Sequence, residues 1–236
     1  MMKYYFAIML LGFSAAIQAK ECVILLHGLA RSADAMQLLA TRLEQAGYAV
    51  SNVDYPSTHY PIEQLAPLAI EQGLNTCQQQ SAHPIHFVTH SLGGILVRYY
   101  LTTQSIAHLG RVVMLGPPNQ GSEVVDTLKD APGFELLNGP AGQQLGTDEA
   151  SVPKQLGPVD FELGVIAGTQ SINLILSTML PNPDDGKVSL ESTKVMGMTD
   201  FIALPTTHPF MMKNDAVIAQ TLYFLQHGEF EPLESK

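Results

Sequence analysis

The ten residues from Ile85 to Gly94 constrain this chain more than any others. Ile85-His86-Phe87-Val88 is an apolar run of strand character, and Thr89-His90-Ser91-Leu92-Gly93-Gly94 is a turn with a serine at its apex. Ile95-Leu96-Val97-Arg98-Tyr99-Tyr100 behind it is helix-forming. A serine hydroxyl is a weak nucleophile until it is held clear of the surface, beside a base and near donors for the charge that develops on attack. The turn supplies the first condition. Gly93 leaves room for helix and strand to close on each other, and the helix start aims N–H groups and positive dipole at the apex. The usual pattern for such a turn is Gly-x-Ser-x-Gly, and Thr89 stands here in place of the first glycine. A serine that only caps a helix has the same local pattern, so the rest of the chain must carry the argument.

The surrounding sequence alternates between strand and helix. Cys22-Val23-Ile24-Leu25-Leu26 reads as a buried strand, and Ser32 to Ala46 as an amphipathic helix capped by Ser32 and ended by Gly47. Tyr48 to Val53 is the next strand and Ile62 to Cys77 the next helix. Arg111 to Leu115, Phe161 to Ala167 and Phe201 to Leu204 read as further strands, and Asp215 to Gln226 as a closing helix. Continuous apolar strands between helices predict an α/β fold, a mostly parallel sheet with helices on both faces. Ligands of such sheets bind at the carboxyl ends of the strands.

With 236 residues, 46% of them apolar, the chain can bury one substantial core, and a single domain over residues 20–236 is expected. Residues 117–158 interrupt the rhythm with Pro132-Gly133, Asn138-Gly139-Pro140 and Gly142. A loop-rich excursion is expected there, lying as a partial cover over the site. The formal net charge of −10 and the lack of any basic cluster argue against nucleic acid as a partner.

The first nineteen residues have the form of a signal peptide. Lys3 gives the positive start, Phe6 to Ile17 the apolar stretch and Ala19 the cleavage point. Lys20 and Glu21 then end a run too short to span a bilayer comfortably, with an uncleaved anchor as the alternative. The expected destination is the periplasm or the exterior, where Cys22 and Cys77 can pair. A bridge there closes a loop of about 55 residues, worth roughly 4 kcal/mol on the chain-entropy model; two separately buried thiols are the alternative.

Other parts of the constellation fall at the same sheet edge as Ser91. His27-Gly28-Leu29 follows the first strand, where a loop N–H can join that of the residue after the serine. The oxyanion donors are therefore expected to be Leu29 and Leu92. His208 follows the last strand and emerges at the carboxyl edge, so it is the expected base. His108 precedes a strand, and His227 sits at the end of the last helix. Asp184 and Asp185 precede Gly186 in the loop system after the fifth strand. Either can orient His208, with Asp185 favoured over Asp184 and over Asp54, Asp126 and Asp200. Ser122 reads as a helix cap, Arg31 as a solvated loop cation, with attraction of an acidic substrate group as the alternative, and His90 as a packing residue. Met211-Met212 reads as core.

The chain from residue 22 to 226 resembles an α/β-hydrolase of the bacterial esterase/lipase kind. Val23-Ile24-Leu25-Leu26-His27-Gly28-Leu29 resembles the oxyanion-loop motif, Thr89-His90-Ser91-Leu92-Gly93-Gly94 the nucleophile turn, and Asp184-Asp185-Gly186-Lys187-Val188 the acid loop. Leu115-Gly116-Pro117-Pro118-Asn119-Gln120-Gly121-Ser122 is similar to the segment these enzymes carry after the following strand. The order Ser91, Asp185, His208 is that of the family. Thr89 and the lack of a long lid domain are the departures. The resemblance implies a serine esterase acting on a small acyl ester or lipid, with transient contact to a lipid surface. The signal-peptide-like start adds export, and without a metal-binding cluster or phosphate-cradling glycine loop in the sequence no cofactor and no metal are expected. Thioester or amide hydrolysis, acyl transfer, or a catalytically silent lipid-binding module are the alternatives. The sequence assigns no oligomeric state.

Overall fold

The apolar runs form six strands: β1 (Cys22–Leu26), β2 (Ala49–Val53), β3 (Ile85–His90), β4 (Leu109–Leu115), β5 (Leu163–Gly168) and β6 (Asp200–Leu204). The computed structural model describes residues 20–233 apart from 173 and 182. The expected signal peptide, residues 1–19, lies outside the described residues. The strands pair in the order β2-β1-β3-β4-β5-β6, and every neighbouring pair is parallel. Parallel pairing explains the unbroken apolar runs, because both faces of the sheet are covered.

Alternate residues of each strand enter two apolar layers. Cys22, Ile24 and Leu26 pack with Phe87 and Val112 beneath α2 (Ile62–Gln79) and α3 (Leu92–Thr103). Val23 and Leu25 pack with Val88, Val113 and Ile166 beneath α1 (Gln37–Gln45) and the closing helix. Residues 117–158 hold three short helices, α4 (Glu123–Leu128), α5 (Phe134–Gln143) and α6 (Val152–Gln155). Two single-turn helices, α7 (Leu174–Ser177) and α8 (Leu190–Thr193), flank the acid loop, and α9 (Asp215–His227) closes the fold.

Two details differ from the sequence reading. Ser32 makes no capping bond, and the chain enters α1 through a 3-10 turn, Ala33–Met36. The Ala33 N–H is taken instead by Asp54 Oδ1 at 2.9 Å, a partner from beyond β2. Arg98, unremarked in the sequence, is buried on α3. Its guanidinium donates to the Asn119 carbonyl at 2.9 Å and the Gly157 carbonyl at 2.6 Å. One side chain thus ties both ends of the 117–158 excursion to the helix behind the serine. Burial lowers the guanidinium pKa to about 10.

Cys22 at the start of β1 and Cys77 near the end of α2 form a disulfide with Cα atoms 5.8 Å apart. The chain passes from β1 to β2 on one side and then to β3 on the other. This reversal opens a crevice at the carboxyl ends of β1 and β3. Leu26 lies opposite Thr89, so the loops after the two strands emerge side by side.

Candidate active site

Ser91 has φ 52° and ψ −118°, a left-handed conformation that costs a non-glycine residue about 1–3 kcal/mol. Its surroundings hold it there. The Ser91 N–H donates to the Leu115 carbonyl at 2.9 Å, and the Ser91 carbonyl accepts from the Gly94 N–H at 3.0 Å. Gly93 is required for close approach: a Cβ there would lie 2.7 Å from the Leu26 carbonyl oxygen. Thr89 is fully buried in β3 and paired with Leu26 and Met114, so the absent first glycine leaves the strand intact.

His208 begins a 3-10 turn after β6, and its Nδ1 lies 2.7 Å from Asp185 Oδ2. The His208 N–H also donates to the Asp185 carbonyl at 3.0 Å. The other carboxylate oxygen of Asp185 accepts from the N–H groups of Lys187 and Val188 at 3.0 and 2.9 Å. Asp185 is 1% exposed, so these contacts replace water and fix the carboxylate. Asp184 faces elsewhere: Oδ1 accepts the Gly186 N–H and Oδ2 accepts the Ser177 hydroxyl. The geometry therefore brings Asp185, and not Asp184, to the imidazole. Gly116, at φ 53°, lets β4 turn beside this pair, where a Cβ would lie 2.9 Å from Asp185 Oδ2. Asp54 holds Ala33, Asp126 holds Thr147, and Asp200 accepts the Phe230 N–H; none of the three hydrogen-bonds His208.

The loop after β1 is pinned from β2's side. His27 is fully buried and stacks on Tyr55 at 4.1 Å between ring centroids. Its Nδ1 lies 2.9 Å from the Gly28 carbonyl, while its Nε2 accepts the Tyr55 N–H at 3.3 Å. That pairing requires a neutral ring with the proton on Nδ1, and burial lowers the His27 pKa accordingly. The Tyr55 hydroxyl donates to the His27 carbonyl, and the Ala30 N–H donates to Ser57 Oγ at 3.1 Å. Leu29 sits between these two anchors, and its N–H has no acceptor among the described residues. Leu92 opens α3, where a helix leaves its N–H groups free.

His90 is more than a packing residue. Strand alternation sends it to the same face as Val88, where the 3-10 turn of His208 lies, and its Nε2 donates to the His208 carbonyl at 3.0 Å. The rings are 4.7 Å apart. Burial, and next the charge of a protonated His208, push the His90 pKa well below its ordinary value. A neutral His90 therefore holds the residue carrying the expected base. Ser122 stands at the start of α4 without capping it; its hydroxyl donates to the Lys187 carbonyl at 2.7 Å and ties the excursion to the acid loop. Met211 and Met212 are core. His108 stacks on His83, and His227 on Tyr223.

Ser91 and His208 line one cavity of about 360 Å³. Its apolar wall comes from the excursion, with Val124, Leu128, Phe134, Leu137 and Leu145. Such a cavity can hold an acyl chain beside a serine and a histidine fixed by a carboxylate.

Similarity to known proteins agrees with the geometry. The sequence profile of the alpha/beta hydrolase family matches residues 23–217. A search of curated sequences finds no match. Among solved structures, the mature lipase BlEst2 of Bacillus licheniformis superposes with a TM-score of 0.71 at 18% identity, over 90% of this chain and 94% of that one. A metagenomic carboxyl esterase gives a TM-score of 0.63 at 18% identity, over 80% and 65%. The phospholipase PlaB of Legionella pneumophila gives 0.61 at 16% identity, over 75% and 45%. At these identities the likeness concerns the fold. With the profile spanning nearly all of the sheet and the turn at Ser91, the chain belongs to the alpha/beta hydrolase family.

Proposed function

We propose that this protein is an exported serine hydrolase that cleaves carboxylic esters through an acyl-enzyme. Ser91 Oγ attacks the ester carbonyl while its proton passes to His208 Nε2, the ring nitrogen left free by Asp185. The N–H groups of Leu29 and Leu92 hold the oxyanion. As the ester C–O bond breaks, His208 returns the proton to the departing alcohol. Water, deprotonated by the same imidazole, then releases the acid and restores Ser91. The observation carrying this reading is that His208, paired with Asp185, and the strained Ser91 turn line the same cavity.

An acyl chain suits the apolar wall, and the exposed Leu136 and Leu137 of α5 give a point of transient contact with a lipid surface. The lipase and esterase names of two structural neighbours agree with an ester substrate. Export is supported by the Cys22–Cys77 disulfide, since such bonds persist in oxidising compartments. The test is a panel of matched butyryl oxyesters, thioesters and amides, run with wild type and Ser91→Ala. Oxyester turnover that falls by orders of magnitude in Ser91→Ala, with an unchanged circular dichroism spectrum, is expected. Equal turnover by the variant, or preference for the thioester or amide, refutes the assignment.

A further inference from the structure

The cavity carries a charge pattern opposite to that of the protein. The chain has 12 Lys and Arg against 22 Asp and Glu, yet no acidic side chain lines the cavity. The two side chains of fixed charge on its wall are Arg31 and Lys187, both positive and both exposed at the rim. Arg31 lies two residues beyond Leu29, and Lys187 two beyond Asp185, so the cations rise from the loops bearing the expected oxyanion donor and acid.

Neither cation is neutralised. Arg42, Arg111, Lys129 and Lys194 each form an ion pair with a carboxylate; among the described residues Arg31 and Lys187 form none. Asp185 is near Lys187, but its oxygens are committed to His208 and to the N–H groups of Lys187 and Val188. The Lys187 backbone is held on both sides, its N–H by Asp185 and its carbonyl by the Ser122 hydroxyl, so the side chain starts from a fixed point. Desolvation and then the Arg31 charge push the Lys187 pKa down, with Asp185 opposing. Two like charges facing one solvent-filled mouth gain from an anion that binds between them.

We infer that Arg31 and Lys187 form a subsite for an anionic group, a carboxylate or a phosphate monoester, on the alcohol part of the ester. The acyl chain takes the apolar wall built by the excursion, and the anion takes the cationic rim. This rests on the hydrolase reading and narrows its substrate to acidic acyl esters. On hydrolysis the acyl group leaves as a carboxylic acid and the charged part as a free alcohol.

The test uses two pairs of soluble esters that differ only in charge. One pair is O-butyryl glycolate and O-butyryl glycolamide; the other is 2-(butyryloxy)ethyl phosphate and 2-(butyryloxy)ethanol. Wild type is expected to favour the charged member of at least one pair by about tenfold or more in kcat/KM, the scale of one charge-assisted contact. The pair that shows the preference tells carboxylate from phosphate. The preference should shrink as salt rises from about 0.01 M to 1 M, over which the Debye length falls from roughly 30 Å to 3 Å. In Arg31→Gln/Lys187→Gln the charged-to-neutral ratio should approach one, and Lys187→Glu should drive it below the wild-type value. The ratio is internal to each protein, so partial loss of folded enzyme does not alter it. A ratio near one in wild type, or one unchanged in the double variant, overturns the subsite while leaving the hydrolase reading standing. If wild type turns over none of the four esters, calorimetric binding to Ser91→Ala decides. Tighter binding of a charged ester keeps the subsite although the hydrolase reading has failed, and equal or weaker binding overturns both.

Discussion

Asp185→Asn isolates the role of the buried carboxylate, because the surrounding donors dictate which way the amide must point. Asp185 Oδ1 receives two N–H groups, from Lys187 and Val188, and Oδ2 receives the His208 ring at 2.7 Å. An asparagine has one oxygen. Turning its NH2 toward Lys187 and Val188 would set donors against two donors at a residue 1% exposed, so the oxygen stays there and the NH2 faces His208. Nδ1 must then accept, and the ring proton moves to Nε2, the nitrogen that has to take the Ser91 proton. Losing the orienting carboxylate in this way costs roughly ten-thousandfold in kcat, about 5.5 kcal/mol of barrier. The fold keeps both Oδ1 contacts, so KM and the thermal midpoint should move far less. Steady-state hydrolysis of a chromogenic butyryl ester reads kcat and KM separately. Asp184→Asn is the control: its carboxylate holds Gly186 and Ser177 rather than His208, and kcat should stay within a few-fold of wild type. An Asp185→Asn enzyme within tenfold of wild type, or an Asp184→Asn enzyme as crippled as Asp185→Asn, would refute this reasoning.

Other perturbations follow from the same contacts. Replacing both Cys22 and Cys77 by serine frees a 55-residue separation. The chain-entropy cost is about 4 kcal/mol, a fall of roughly 8–16 °C in thermal midpoint by scanning calorimetry; a fall below about 2 °C would contradict a structural role. Tyr55→Phe removes the donor to the buried His27 carbonyl, costs about 1–3 kcal/mol of stability and should lower kcat without raising KM. Unchanged kcat would mean that the Leu29 loop is held without Tyr55. His27, His86 and His90 all have pKa values lowered chiefly by burial from the ordinary 6.5. The unfolded chain therefore binds more protons, so their contribution is full above about pH 6.5 and lost as pH falls toward the folded values, by up to about 1.4 kcal/mol per unit for each ring. Calorimetric midpoints should drop from pH 7.5 to 5, with a shallower drop in His90→Gln; a flat profile would contradict the assignment.

Much of the architecture is legible in the sequence because parallel strands need apolar residues on both faces, and β1 and β5 are short unbroken apolar runs. Ser91 is equally legible, since a glycine-backed turn between strand and helix is local. Asp185 and Asp184 can be ranked but not separated by sequence, because the distinction lies in where His208 stands, 23 residues beyond Asp185 and on another strand's loop. His90 reads as packing because the period-two alternation of β3 places it on the face of Val88, and only the folded chain brings the His208 turn there. The excursion was harder still. Helix α5 holds Pro140 and a non-helical Gly139, and α4 and α6 are too short for a helical period to show. Their order comes from Arg98 and Ser122, long-range contacts that no local pattern carries.

The central claim is that Ser91 is an activated nucleophile. Intact-mass analysis after treatment with a fluorophosphonate tests it most directly, with Ser91→Ala run in parallel. A single adduct on wild type and none on the variant is the predicted result. No adduct on folded wild type, or an equal adduct on Ser91→Ala, would contradict the account.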